Sequence, residues 1–592
     1  MTTPAADTEE GPSVTLPPPS GGSSGPGLPE WMRRYDRHDL GDDLVAGLVV
    51  AMLLLPQSLA YAMLAGLPPQ AGLYASMLPL VAYALFGSSR VLAIGPAAII
   101  SLMTAAALKD ATVAFDVGVG TAAIWLALLT GGMQLAFGLL RLGFLSNLLS
   151  HAVISGFISA AAVVIAFSQL GHLFGFDPAG IRLPEMLMHF IGALGDAHLL
   201  TFAVGAVTLA FLLGVLFWLE PALAYLGVGQ RSAAFISRLA PLVAVLLALV
   251  AAAMLGLGQA GVPLLGHVPA GLPRPTFLVP QFDLLLRLLP SALLIALLGF
   301  AESISVAQSL AMRRRERIRP NRELVGLGMA NLAAGASGAM PVTGSLSRSV
   351  VSYNAGAATP AAGVCAALVI AIVAVWFAPW LADLPRAVLA AIIIVAVLSL
   401  VDVRVFRRTL RHSPHDFVAL LLTVFGVFLL GVETGLILGL ASSILLYLWR
   451  SSRPHIAVVG RVPGTEHFRN VARYEVETLP HVLTVRVDES LFFANARYLE
   501  ERILELVAKH PQVEDLVLQC SAVNGIDGSA LEVLASINER LHLAGVRFHL
   551  SEVKGPVMDV LARSDLIGHL SGRIFFTQND AFRELSRTTD HG

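Results

Sequence analysis

Apolar residues dominate one long stretch of the chain, opening near Asp43 and closing near Trp449. Within it, Leu44 to Leu108 holds a single charge, Arg90. A helix needs ~20 apolar residues to cross a bilayer. Dividing the stretch at its Gly and Pro breaks gives fourteen such segments. Beyond Arg453 the pattern shortens. HVLTVRVD (481–488), VEDLVLQC (513–520), VRFHLSEV (546–553) and GRIFFTQ (572–578) read as strands. ARYLEERILELVAKH (496–510) and ALEVLASINERLHLAG (530–545) carry helical periodicity between them, so 453–590 is expected to be a compact α/β domain. Residues 1–30 are polar, and their GPSVTLPPPSGGSSGPG tract cannot bury a core. They read as a disordered tail without a signal peptide, leaving 31–450 as the membrane domain.

Basic residues collect in alternate connections between spans, and on the cytoplasmic side. Arg90 follows segment 2, Arg231 and Arg238 follow segment 6, and RRRERIRPNR (313–322) follows segment 8. VRVFRRTLRH (403–412) follows segment 12 and RSSR (450–453) segment 14. Connections after odd segments, such as LAGLPPQAG (64–72), are poor in Lys and Arg. The parity supports fourteen spans and predicts that both termini are cytoplasmic, in a multi-pass protein of the cell inner (plasma) membrane.

Composition agrees. The chain of 592 residues is 56% hydrophobic and 14% charged, against about 45–50% and about 25% for globular domains. A net charge of −2 points to no nucleic-acid partner. Cys365 and Cys520 are the only cysteines and give neither a disulfide framework nor a metal spacing. No nucleotide loop, metal cluster or nucleophile–base pair is present, so neither an enzyme nor a cofactor is expected.

The two halves repeat a pattern. YALFGSSRVLAIGPAAIISLMTAAA (83–107) and ANLAAGASGAMPVTGSLSRSVVSYNAGA (330–357) each run from a small-residue helix through a glycine turn and a short extended piece into another small-residue run. Gly87 and Gly338 lie 251 residues apart, and Gly95 and Gly344 lie 249 apart. Seven spans per half make the repeats inverted. Paired interruptions at matching places mark a transporter's midplane site. Two half-helix N-termini, at about Pro96–Ala98 and about Ser345–Arg348, would offer unpaired N–H groups to an anion. Arg348 is the only charge from Leu324 to Ala382 and adds a forked donor set suited to oxyanions. The alternative is an arginine that snorkels to the interface or pairs structurally.

VVAMLLLPQSLAYAMLAGLPPQAGLYAS (49–76), GFAESISVAQSLA (299–311) and PVTGSLSRSVVSYNAGAATP (341–360) resemble signature blocks of the SulP anion permeases. The resemblance implies an α-helical polytopic fold, fourteen spans as a seven-plus-seven inverted repeat, with a core of segments 1–4 and 8–11 moving elevator-like against a gate of segments 5–7 and 12–14. It places a substrate site on Gln57 and Tyr61, on the backbone of Ala97 and Ala98, and on Ser347 with Arg348. The residues themselves agree: Gln57 follows the helix-kinking Pro56, and Tyr61 lies on the same face four residues on. Interhelical hydrogen bonding is the other reading of that pair.

Glu302 is the only charge between Leu288 and Met312. At a supposed ~6 Å and an effective dielectric of ~20, it would couple to Arg348 by roughly 2.8 kcal/mol. A proton on Glu302 would then release Arg348 for an anion about a hundredfold. The resemblance points to proton coupling where glutamate stands here, whereas a sodium-dependent bicarbonate branch has aspartate. A static Glu–Arg strut is the alternative. Glu433, His151 and His172 read as helix-end or packing residues.

CSAVNGIDGSALEVL (520–534) resembles the strand–loop–helix of the STAS domain, shared by sulfate transporters and anti-sigma antagonists. Asp527 and Ser529 would open the helix as caps. Ser529 matches a serine phosphorylated in the bacterial antagonists, although Gly528 departs from their Ser/Thr. Homodimerisation or binding of a cytoplasmic protein partner is expected of the domain. The leading function is proton-coupled sulfate uptake. Bicarbonate or a C4-dicarboxylate such as fumarate, anion exchange, or a membrane sensor signalling through the STAS domain are the alternatives.

Overall fold

The structure, a computed structural model, describes residues 30–587 except 34, 116, 149, 178, 181, 228, 230–232, 234, 235, 275–278 and 280. The tail expected at 1–30 therefore lies outside the described residues, save Glu30. Two compact units divide the chain. One takes the residues up to Asn147, Ile158–Val401 and Gly431–Glu433; the other takes Leu148–Phe157, Asp402–Leu430 and the residues from Thr434 onward. Nine helices among the described residues are long and apolar enough to cross a membrane, and Ala240–Leu255 and Pro414–Leu430 are shorter apolar helices.

The first unit begins with α1 (Arg37–Leu64), which runs unbroken past Pro56, followed by α2 (Pro69–Tyr74) and α3 (Leu78–Phe86). Extended β1 (Ile94–Gly95) leads into α4 (Ala98–Phe115), and α5 (Val119–Leu139) returns. After α6 (His151–Phe174), which this unit holds from Ile158 onward, α7 (Leu199–Gly214) and α8 (Ala240–Leu255), the scheme repeats. Its elements are α9 (Phe282–Arg314), α10 (Pro320–Ala336), β2 (Thr343–Gly344), α11 (Leu346–Asn354) and α12 (Ala361–Ile372), before α13 (Arg386–Leu398).

The repeat is visible in how the helices pack. The pairs α1–α12, α1–α11 and α3–α12 are matched by α9–α5, α9–α4 and α10–α5. Exchanging the halves turns one set into the other. The strands complete this relation: β1 and β2 pair antiparallel, with Ile94 opposite Gly344 and Gly95 opposite Thr343. The offset of 249 carries Ile94 onto Thr343 and Gly95 onto Gly344, so it maps one pair onto the other. A local two-fold passes between them, as the inverted repeat requires.

Small residues set the distance between α5 and α10. Gly131 and Gly138 on α5, and Gly328 and Gly335 on α10, recur at seven-residue spacing. A Cβ on Gly328 would stand 2.6 Å from the Leu135 amide nitrogen, and one on Gly131 would stand 2.7 Å from that of Leu332. Such backbone contact is what small residues permit between membrane helices.

The second unit contains α14 (Val403–His412), α15 (Pro414–Leu430) and most of α16 (Val432–Ser452). Its sheet is formed by β3 (Ile456–Arg461), β4 (Phe468–Asn470), β5 (Val482–Val487), β6 (Asp515–Gln519), β7 (Arg547–Ser551) and β8 (Ile574–Phe575), in the order β4-β3-β5-β6-β7-β8. From β5 to β8 the strands are parallel, and β3 and β4 add an antiparallel edge. The four expected strands are all present, while β3 and β4 come in addition. Helices α17 (Ala496–Lys509) and α18 (Gly528–Leu543) supply Leu499, Ile503, Leu534, Ile537 and Leu541 to a core with Leu516, Leu518 and Phe548.

Replacing Gly328 with Val forces backbone apart along α5–α10, a cost of about 1–3 kcal/mol. Thermal melting of the purified protein is expected to fall by several degrees. Gly132→Ala is expected not to lower it, since a Cβ there meets nothing within 4 Å.

Candidate functional site: the crossing of two broken helices

Because α4 starts three residues after Gly95 and α11 two residues after Gly344, both helix N-termini abut the β1–β2 crossing. The first N–H groups of a helix have no intrahelical acceptor. Non-helical backbone at membrane depth must otherwise be satisfied by protein or water, and here side chains provide most of what the strands need. Ser349 Oγ accepts from Ala93 N at 2.9 Å, and Ser303 Oγ accepts from Gly344 N at 2.9 Å. Thr343 Oγ1 donates to Gly299 O at 2.8 Å. Asn331 holds Val342 at both ends, its Nδ2 donating to the carbonyl at 3.0 Å and its Oδ1 accepting from the amide at 2.8 Å. Gln134 Oε1 in turn accepts from Asn331 Nδ2 at 2.9 Å.

Arg348 lies in the first turn of α11 and is 1% exposed. Its Nη1 donates to Pro96 O at 2.8 Å and to Gln57 Oε1 at 3.3 Å. Its Nε and Nη2 are buried without a partner. Those two nitrogens form one edge of the guanidinium, the geometry that holds two oxygens of one anion. Gly95 shapes the space beside it. With φ of 156°, its backbone suits glycine, and a Cβ there would lie 3.5 Å from Nη2 and 3.1 Å from Leu54 Cδ1.

Of the other expected site residues, Gln57 is half-buried, while Tyr61, Ala97 and Ala98 are buried, at the crossing end of α1 and the start of α4. Ser347 is exposed beside Arg348. Glu302 and Arg348 lie within electrostatic reach of each other, and Tyr61 feels both. They form no ion pair within 4.0 Å. Glu302 Oε2 is buried and unpartnered. The static strut weighed from the sequence is thus absent in this conformation; the arginine is tied to the β1 carbonyl and the α1 amide instead.

Two buried carboxylates escaped the sequence reading. Asp43 accepts from Thr359 Oγ1 at 2.6 Å and from the amides of Ala358 and Thr359 at 2.9 and 3.0 Å, ahead of α12. Glu323 on α10 accepts from Tyr83 OH at 2.7 Å and from the amides of Ser88 and Ser89 at 2.8 and 2.9 Å, ahead of β1. Each ties one half of the repeat to the other. In the second unit Asp527, not Ser529, caps α18, its Oδ1 accepting from Ala530 N at 2.8 Å. Ser529 is exposed in the first turn.

A profile of the sulfate permease family matches residues 40–423. The chain belongs to that family. A STAS domain profile matches residues 473–581. A probable sulfate transporter of Mycobacterium tuberculosis is 34% identical over 565 residues, covering 95% of this chain and 98% of that protein. Probable sulfate transporter 4.2 of Arabidopsis thaliana is 34% identical over 561 residues, covering 93% of this chain and 81% of that protein. In fold, the chain is similar to the murine Slc26a9 anion transporter in its inward-facing state, with a TM-score of 0.85 at 22% identity and coverage of 95% and 94%. The chain is therefore a multi-pass membrane anion transporter of this permease family, not an enzyme, and it carries a C-terminal STAS domain.

Gly95→Ala is expected to weaken anion binding to the purified protein at least tenfold, because the methyl crowds Arg348 and Leu54. Gly66→Ala is the control. It also carries a left-handed φ of 72°, yet its added Cβ meets nothing within 4 Å, so binding should hold.

Proposed function

We propose that the permease takes up sulfate together with a proton. The observation that carries this reading is the pair of unsatisfied groups at the crossing: the free Nε–Nη2 edge of Arg348 and the free Oε2 of Glu302. A tetrahedral dianion would set two oxygens on that edge. The amides of Ala97 and Ala98 would face a third, with Gln57, Tyr61 and Ser347 closing the seat. Ionised Glu302 opposes an anion here, and a proton on it removes the opposition. Binding is thus tighter on the acidic side, and release of the proton on the other side loosens the anion.

The core formed by α1–α5 and α9–α12 would travel as one body past the remaining helices, carrying the crossing with it. The symmetric packing of that core and its bridging carboxylates support rigid movement. Both termini would face the cytoplasm from the inner membrane, with the STAS domain supporting a homodimer or a protein partner. Ser529, exposed on α18, is open to a regulatory kinase.

Proteoliposomes with labelled sulfate test the proposal. Wild type is expected to accumulate sulfate under an inward proton gradient. Glu302→Gln, which mimics the protonated acid, should lose accumulation while still exchanging sulfate for sulfate. No sulfate uptake under any gradient would sink the substrate assignment, and bicarbonate and fumarate would follow in the same vesicles.

A further inference from the structure

Helix α14 has a composition that transport of a small anion does not explain. Its VRVFRRTLRH places Arg404, Arg407, Arg408 and Arg411 at i, i+3, i+4 and i+7, one face of a helix. Val403, Phe406 and Leu410 fall on a neighbouring face. Asp402 caps the helix, its Oδ1 accepting from Arg404 N at 2.9 Å. That carboxylate also stands 3.6 Å from Arg404 Nε. Arg407, Arg408 and Arg411 are exposed and pair with no carboxylate among the described residues. Val403 and Leu410 are 61% and 55% exposed beside them. Three guanidinium groups without a carboxylate partner are thus bordered by aliphatic side chains that water solvates poorly.

The same unit supplies a second feature. At the end of α16, Trp449 stacks edge-on with His415 of α15 at 5.5 Å, and Arg453 lies over its ring at 5.4 Å. Tyr447 is exposed, and Arg450 is exposed beside Trp449. Tryptophan, tyrosine and arginine at the end of an apolar helix mark the headgroup level of a bilayer. A helix with arginines on one face and aliphatics on the next lies in that plane.

We propose that α14 and the end of α16 form a binding surface for anionic phospholipid. The arginine row would take the phosphate oxygens of the headgroups, and Val403 and Leu410 would enter the acyl boundary. Charge complementarity selects the occupant, since a zwitterionic surface offers phosphate oxygens but no net negative charge to balance the three arginines. The surface shares no residue with the anion seat, so it stands or falls independently of the transported substrate.

The test uses the full chain reconstituted in vesicles of mostly phosphatidylcholine with a minority of phosphatidylglycerol, then extracted with its surrounding lipid shell. Lipids retained per protein are counted by mass spectrometry. Phosphatidylglycerol should be enriched around the wild type, and raised salt should reduce the enrichment. The triple variant Arg407→Gln, Arg408→Gln, Arg411→Gln should lose up to about fivefold per arginine removed. The matching triple lysine variant should keep the enrichment, separating lost charge from lost folding. Equal retention of the two lipids by wild type would overturn the proposal. So would a glutamine variant that matches wild type, or a folded lysine variant that loses the preference.

Discussion

Four residues carry the geometry on which everything else in the membrane unit rests: the antiparallel contact of Ile94–Gly95 with Thr343–Gly344. Two strands of two residues each could not persist alone in water or lipid. They persist because α9 aims Ser303 at the Gly344 amide, while Asn331 of α10 and Ser349 of α11 hold the flanking backbone of Val342 and Ala93. Placing the ends of two helices at one point gives a converging set of N–H donors. Irregular backbone is thereby held in place, and the helices around it are packed too tightly through glycine for it to relax.

The electrostatics follow from an asymmetry laid over that symmetric frame. Under the strand offset of 249, Arg348 falls opposite Ile99. The tetrapeptide Gln57-Ser58-Leu59-Ala60 recurs as Gln308-Ser309-Leu310-Ala311, 251 residues on, and that offset places Glu302 opposite Ala51. Both charges at the crossing therefore belong to the second half, while the first contributes the amide of Gln57 and the carbonyl of Pro96. Arg348 is half-satisfied: one nitrogen is held by the first repeat, leaving the opposite edge bare. An arginine tied at one corner is held in one orientation, and under the proposed function that would reduce the ordering lost on binding an anion.

Much of this was legible in the sequence because membrane insertion penalises charge and irregular backbone so heavily. Arg348 and Glu302 stood out as single charges in long apolar spans, and the glycine pairs announced the broken helices and their register. The bracing was not legible. Gln134 and Asn331 are ordinary polar residues until the fold brings them together at 2.9 Å, although an amide alone in an apolar helix was a signal to follow. Asp43 and Glu323 lie at the edges of charged stretches, where a carboxylate draws no notice, and only packing shows them buried. The lack of a Glu302–Arg348 ion pair depends on side-chain reach that spacing does not encode. In the STAS domain, β6 shows as an apolar run, since a central parallel strand is buried on both faces, while β5 and β7 mix polar with apolar residues and were picked out by the helical patterns between them. Three-residue β4 has no period to detect. Whether Asp527 or Ser529 caps α18 was a matter of two residues at a helix boundary.

The central claim is that the free edge of Arg348 holds the anion as a fork, not merely as a charge. Equilibrium binding of labelled sulfate to the purified transporter, compared between wild type and Arg348→Lys, tests it most directly. Lysine keeps the positive charge and removes the planar pair of donors. A loss of affinity of about tenfold or more is predicted, since a bond to an ionised group is worth about 1.5–3 kcal/mol. Undiminished affinity in the lysine variant would contradict the account and move the anion away from that edge.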